Sequence, residues 1–253
     1  MPTKGVVKES TRLQQQIKSM LNEHCVRLPK GLRLSHPSAL PRLAKVRMWT
    51  PVQAMLLSQP HRGLLATRVR RSELRRHMAG EILGDPELLR LARLCGLSLV
   101  TIYGLSTAIG DIHRFSQSNK LVAYFGLNPS VCQSGNYEGG GGLKRHGRGP
   151  LRALLIQSAK KLLQVHNPLQ KCLAVTARRG RNKAAVAVAR QLCVALWHVL
   201  QGHVIGAIER MDTLHTKLHK LATELGVPTI KQLGYETKEA FVQKKLYLLK
   251  AYP

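Results

Sequence analysis

The sequence predicts a mainly α fold, and three observations carry that expectation. Apolar residues recur at three- and four-residue spacing through most of the chain, as in Leu13, Ile17, Met20 and Leu21. Helix punctuation stands between these runs, clearest at Asp85-Pro86-Glu87 and at Gly149-Pro150. Period-two alternation is scarce, so no set of strands is expected; Ser98–Tyr103 and Val131–Cys132 are the only stretches that read as extended.

Taken in order, Ser10 offers an N-cap to a first helix running to about Val26, which Pro29 and Gly31 end. Pro37 and Pro41 bracket a connector, and a helix-rich middle follows from about Pro51 to Leu97. Within it Asp85 caps, Pro86 fits the first turn, Glu87 suits the helix N-terminus, and Leu88, Leu89, Leu91, Leu94 and Cys95 form an apolar face. Gly149-Pro150 opens a helix to about Gln164 with Leu151, Leu154, Leu155, Leu162 and Leu163 inward. Asn167-Pro168 opens another to Arg179-Gly180, and Asn182 caps a long Ala/Val-rich helix to Leu200. A helix over Val204–Leu225, Pro228 and a last helix near Lys238–Lys250 complete the chain. The apolar faces at Leu13–Leu21 and Met211–Leu221 are candidates for pairing in a dimer.

Composition bounds the partner. The 253 residues hold 40 Lys+Arg against 13 Asp+Glu, a formal charge of +27, with 44% hydrophobic residues and only 4% aromatic. The hydrophobic share supports a packed core, while the charge calls for a polyanion, and nucleic acid is the expected one. No acid lies between Glu138 and Glu209, a span that carries Lys144, Arg145, Arg148, Arg152, Arg178, Arg179, Arg181 and Lys183 among its cations. A solvated helix face would mix signs to gain pairs four residues apart. A second basic cluster runs from Arg68 to Arg76. Few aromatics argue against base stacking as the main binding mode and for contacts to the phosphate backbone.

Other chemistries find less support. Cys25, Cys95, Cys132, Cys172 and Cys193 are scattered without a C-x-x-C pair, which argues against a zinc ribbon and a secreted disulfide framework. Lys4, Lys8 and Arg12 open the chain in place of a signal peptide, and the apolar stretch Leu192–Ile208 falls short of roughly 20 spanning residues, so no membrane partner is expected. Asp111 and Glu138 are the local carboxylates, and Asp111 reads as a turn or cap residue rather than a metal ligand. His215 and His219 have zinc-helix spacing, but no Glu stands between them and no third ligand is evident.

The run Cys132-Gln-Ser-Gly-Asn-Tyr-Glu-Gly-Gly-Gly-Gly-Leu-Lys-Arg-His-Gly-Arg-Gly-Pro-Leu-Arg152 is the most informative. Ser134 is followed by Gly135, which frees its hydroxyl sterically, and by Lys144, Arg145, His146, Arg148 and Arg152, which can hold an anion under attack. The helix opened by Pro150 adds backbone donors suited to phosphate. On spacing alone Ser134-Gly135 is also ordinary turn chemistry, and His146 is the one local candidate for a general base.

Ile102-Tyr-Gly104, Gly110-Asp-Ile-His-Arg-Phe115, Leu121-Val-Ala-Tyr-Phe-Gly-Leu-Asn-Pro129, Gln133-Ser-Gly135, Gly147 and Leu151-Arg152 together resemble the C-terminal domain of the insertion-sequence 110/116/902 transposases. Lys183–Arg190 resembles the family's next helix, and Ser10–Val26 the coiled-coil region before the domain. The resemblance implies a helical linker and coiled coil at 1–98, a compact helical transposase domain at 99–203 and a helical tail at 204–253. It implies recombination of DNA at element ends and target, with Ser134 as nucleophile. The cations Lys144, Arg145, His146, Arg148, Arg152, Arg178, Arg179, Arg181 and Lys183 would then grip the backbone, and Gly126, Pro129, Gly135 and Gly147 would shape the loop. It further implies a guide RNA, a homo-oligomer or full-length transposase partner, and a bacterial cytoplasmic, nucleoid-associated location. No cofactor is expected on this chain; Mg²⁺ enters through the acids of a resolvase-like domain, which this sequence lacks. The segment between Gly104 and Gly110 is also shorter than the family's, so the chain reads as a truncated, shortened copy. A nucleic-acid-binding remnant without catalysis is the alternative.

Overall fold

The computed structural model describes residues 2–134, 137–143, 147–164, 180–203 and 210–251. The chain forms two compact units, Met1–His77 and Met78–Pro253. Both are mainly α, as expected, and the second also contains one antiparallel pair of strands.

In the first unit, α1 (Pro2–Glu23), the short α2 (Ala39–Ala44) and the first part of α3 (Pro51–Gly84) surround a core of Leu13, Ile17, Leu21, Leu43, Leu57 and Leu64. Helix α1 starts well before Ser10, because Val6 joins the buried face and extends the helical stripe toward the N-terminus. Gly63 lets α3 approach α1 closely: a Cβ at that position would stand 2.9 Å from a methyl of Leu13. The Leu13–Leu21 face is therefore covered within its own unit and is not open for a dimer. From Arg68 to His77, α3 buries no residue.

In the second unit, Asp85 caps α4 (Pro86–Leu91) as the sequence predicts; its carboxylate accepts from Glu87 N at 2.8 Å and Leu88 N at 3.4 Å. Ser98–Tyr103 is not extended. It begins α5 (Leu99–Ile109), with Ser98 Oγ accepting from Thr101 N at 3.2 Å and with Leu99, Ile102, Leu105 and Ile109 buried at helical spacing. The β-branched content favours a strand, but burial of that one stripe outweighs the small difference in propensity.

A 3-10 turn at Ile112–Arg114 leads to α6 (Ser118–Tyr124), then to β1 (Pro129–Ser134) and β2 (Tyr137–Leu143). Helices α7 (Gly149–Leu162), α8 (Arg181–Leu200), α9 (Met211–Leu225), α10 (Val227–Gln232) and α11 (Lys238–Ala251) complete the unit. Gly180, in the left-handed region at φ 85°, precedes α8, so Asn182 lies inside the helix and is not its cap. Pro228 lies in the first turn of α10, a helix the sequence did not announce. The helix expected from Asn167 lies outside the described residues, as does the start of that expected at Val204.

Helix α8 is the axis of this core. Val188, Leu192, Cys193 and Leu196 are fully buried, and α4, α6 and α7 pack on it. Among the described residues it alone is long and apolar enough to cross a membrane, yet its apolar residues contribute to the common core. Burial pushes the Cys193 thiol up to about 12, which keeps it protonated and unreactive. Helix α9 adds Leu214, Leu218 and Leu221 to the same core, so this face too is covered within the unit.

Lys217 enters that core from α9, only 8% exposed. Its Nζ donates to Ala92 O at 2.9 Å and to Leu94 O at 2.6 Å, satisfying carbonyls left over where α4 ends. Burial pulls its pKa down to about 7, with Cys95 opposing the shift. A neutral amine has two N–H donors for these two carbonyls. Nearby, Arg93 donates from Nη2 to Leu249 O, and its own carbonyl accepts from Arg210 N at 3.3 Å, tying the α4 turn to the C-terminal helices.

Candidate nucleic-acid interface

Three elements build the site, α6, the strand pair and α7. Helix α6 ends in Gly126 at φ 68°, where Gly126 N donates to Ala123 O at 2.9 Å and Leu127 N to Val122 O at 3.1 Å. That glycine stop turns the chain with Leu127 fully buried and sends it into β1.

The glycine run is not a flexible loop. Gly139–Gly142 belong to β2, with Val131 paired to Gly140 and Cys132 to Gly139. Backbone pairing requires no side chain on the partner, and Val131 and Cys132 supply the strand preference on the other side. The register shifts between Pro129↔Leu143 and Val131↔Gly140, which places an extra residue among the last glycines, where a bulge suits glycine best. Ser134 is the last residue of β1 and pairs with Tyr137; Pro129 stands at the opposite end of the ladder. Gly135, Lys144, Arg145 and His146 lie outside the described residues, as do Arg178 and Arg179.

After the strands the chain returns against the end of α6. Gly147 has φ 102°, and a Cβ there would meet Gly126 N at 2.9 Å, Gly126 Cα at 3.0 Å and Tyr124 O at 3.1 Å. Two of the sequence-predicted loop glycines, 126 and 147, are thus in direct backbone contact. Arg152 donates to Gly126 O at 3.2 Å and is half-buried, so one edge of its guanidinium braces the same turn. Arg148 is exposed, with its guanidinium carbon 5.0 Å from the centre of the Tyr124 ring.

Sequence reasoning missed Arg114. Its guanidinium carbon lies 4.6 Å from the centre of the Phe115 ring and 4.9 Å from that of Tyr124. Nothing in the spacing of Arg114 and Tyr124 signals this. The turn that carries Arg114 is capped by Asp111, whose carboxylate accepts from His113 N at 2.8 Å, so the cap reading of Asp111 is the observed one.

The electrostatics are one-sided. Helix α7 starts at Arg148-Gly149-Pro150 and α8 at Arg181-Asn182-Lys183, and neither has an acid in its first turn. Arg181 and Lys183 are exposed. A helix N-terminus carries partial positive charge and ordinarily attracts Asp or Glu, so both ends suit an external anion. In the first unit, Arg68–Arg76 form a separate basic stretch on α3, where the ion pair of Arg70 with Glu9 measures 3.3 Å. His215 and His219 stack edge to face at 4.6 Å, half-buried, and no group of three metal-ligating side chains comes together among the described residues.

The chain is similar to known transposases. It is 28% identical over 201 residues to the transposase for insertion sequence element IS1111A of Coxiella burnetii, covering 77% of this chain and 55% of the relative. It is 26% identical over 205 residues to the transposase for insertion sequence element IS1328 of Yersinia enterocolitica, covering 77% and 59%. A probable family 20 transposase of Pseudomonas aeruginosa is 26% identical over 153 residues, covering 57% and 44%. The chain thus spans about half the length of the curated relatives it matches. Residues 89–173, which include α5, α6, both strands and α7, match the model of the transposase IS116/IS110/IS902 family.

Proposed function

We propose that this chain carries the backbone-attacking portion of an insertion-sequence transposase, with Ser134 as nucleophile and DNA at element ends and target as substrate. The observation that carries the reading is the position of Ser134. It ends the strand that leaves the Gly126 turn, the start of α7 lies against that same turn, and α7 begins with cations and no acid. In the proposed step Ser134 Oγ forms a bond to phosphorus as the bond from phosphorus to one sugar oxygen breaks. The hydroxyl proton passes to a base, for which His146 is the candidate, and the departing oxygen takes up a proton. The phosphoester retained on serine is what a second DNA end can attack in turn. The described residues do not assemble a Mg²⁺ site, and no part of this step is assigned to a metal. A structured RNA and a second transposase chain are further proposed partners, and the bacterial nucleoid is the place such a reaction would occur.

The test incubates the full chain with supercoiled DNA carrying the element ends, with its RNA and Mg²⁺, and looks for protein that stays on DNA through SDS. The reading predicts an adduct that Ser134→Ala abolishes. Salt-sensitive binding in both proteins with no adduct in either would contradict it and leave a non-catalytic nucleic-acid-binding protein.

Binding itself has an expected signature. Several phosphate contacts release several counterions, so affinity falls by orders of magnitude between about 50 and 200 mM salt. Fluorescence anisotropy across that range checks this, and a flat response would contradict the polyanion argument.

A further inference from the structure

We propose that Arg114 and Arg148 form a two-guanidinium clamp for the phosphodiester backbone, mounted on the ring of Tyr124 at the base of the strand pair. The proposal rests on the nucleic-acid reading above and adds Arg114, which the sequence did not reveal, as the partner of Arg148.

The mount is fixed from several sides. Tyr124 donates its hydroxyl proton to Ala108 O at 2.9 Å and meets Phe115 edge to face at 5.2 Å. Trp197 of α8 donates its indole N–H to Phe115 O at 2.9 Å, holding the turn beside Arg114 against the core. Asp111 caps that turn from its other end. The Arg114 guanidinium thus lies over two immobilised rings, and the Arg148 guanidinium over one of the same rings.

Both guanidinium carbons are about 5 Å from one ring centre, so they are no more than about 10 Å apart. Both residues are exposed, and neither makes an ion pair among the described residues. A guanidinium laid on an aromatic face keeps its N–H donors in its own plane, directed away from the ring and available to an anion. Two like charges within about 10 Å of each other repel until an anion joins them. Because the rings already restrict both side chains, less rotamer freedom is lost on binding than for a cation on a free stem. A phosphate oxygen is the ligand this chemistry fits best, because it accepts from a planar fork.

The clamp also has a defined place. It lies at the Gly126 end of the strand pair, whereas Ser134 ends β1 five residues beyond Pro129, about 17 Å away along an extended strand. It therefore grips the backbone away from the attacked phosphate and serves binding, not chemistry.

The experiment measures anisotropy of a fluorescein-labelled DNA duplex and, separately, of an RNA hairpin against the full chain, Arg114→Ala, Arg148→Ala and Arg114→Lys. Each alanine variant is expected to weaken binding about tenfold and to reduce the slope of log affinity against log salt by about one, with unchanged thermal unfolding. Arg114→Lys is expected to recover the salt slope but not the full affinity, since it keeps the charge and loses the planar fork. Loss on only one of the two nucleic acids identifies the one the clamp holds. Parent binding with unchanged affinity and slope in Arg114→Ala overturns the clamp alone. Failure of the parent to bind either probe overturns the clamp together with the functional reading.

Discussion

Lys217→Met is expected to change how the stability of this protein responds to pH. With its pKa at about 7 in the folded chain and 10.5 when unfolded, Lys217 releases a proton on folding throughout that window. The unfolded chain then binds more protons than the native one, so the lysine's penalty is full below about 7 and fades as pH rises to 10.5. The parent's stability should accordingly gain from this group by up to about 1.4 kcal/mol per pH unit across the window. The methionine variant lacks that gain. It also leaves Ala92 O and Leu94 O without their donor, at about 1–3 kcal/mol each. The variant is therefore clearly weaker than the parent at the alkaline end and recovers relative to it toward neutrality, by several kcal/mol in all. Subtracting the two curves cancels the titrating groups that are not coupled to Lys217. Urea unfolding at both ends of the window, followed by Trp197 fluorescence in a Trp49→Phe background, measures the difference. A difference that does not vary with pH would mean that Lys217 is as solvated in the folded protein as in the unfolded chain.

Gly147→Ala is expected to damage both stability and binding. The new methyl would stand 2.9 Å from a backbone nitrogen and 3.1 Å from a carbonyl oxygen, and backbone atoms cannot rotate aside as a side chain can. The left-handed conformation adds strain of about 1–3 kcal/mol, and the overlap about as much again. Relief requires the start of α7 to move off Gly126, taking Arg148 from Tyr124 and Arg152 from the Gly126 carbonyl. Gly110→Ala is the matched control, since Gly110 also has positive φ, at 60°, but nothing lies within 4 Å of its Cβ position. Thermal unfolding and nucleic-acid affinity of the pair separate strain from close approach. Equal behaviour of the two variants would contradict the packing argument.

How much of this was legible in the sequence depends on the kind of signal involved. Local punctuation was: Asp85 caps α4, and Gly149-Pro150 opens α7, because caps and prolines act within one turn. Ser98–Tyr103 was misread because its preference for strand is small and the decisive term, burial of Leu99, Ile102 and Leu105 against distant residues, is non-local. The glycine run read as part of a loop because a strand of glycines has no pattern of its own; its order comes from pairing with β1. Lys217 carried a faint signal, lying three residues after Leu214 and four before Leu221 on a helix whose apolar stripe includes both. For the site, the loop glycines 126 and 147 could be picked out from the sequence, but their contact with each other could not. Arg114 was invisible as a site residue, since its meaning depends on a ring ten positions away and on a tryptophan from another helix.

The central claim is that Ser134, and no neighbour, takes up the DNA. Tyr137 is the sharpest competitor, being a hydroxyl nucleophile paired directly with Ser134 in the ladder. The most direct measurement digests the SDS-resistant adduct with protease and nuclease and locates the residual nucleotide by fragment mass spectrometry. The account predicts a phosphodiester remnant on Ser134, retained in Tyr137→Phe and lost in Ser134→Ala. A remnant on Tyr137, or an adduct that survives Ser134→Ala, would contradict it.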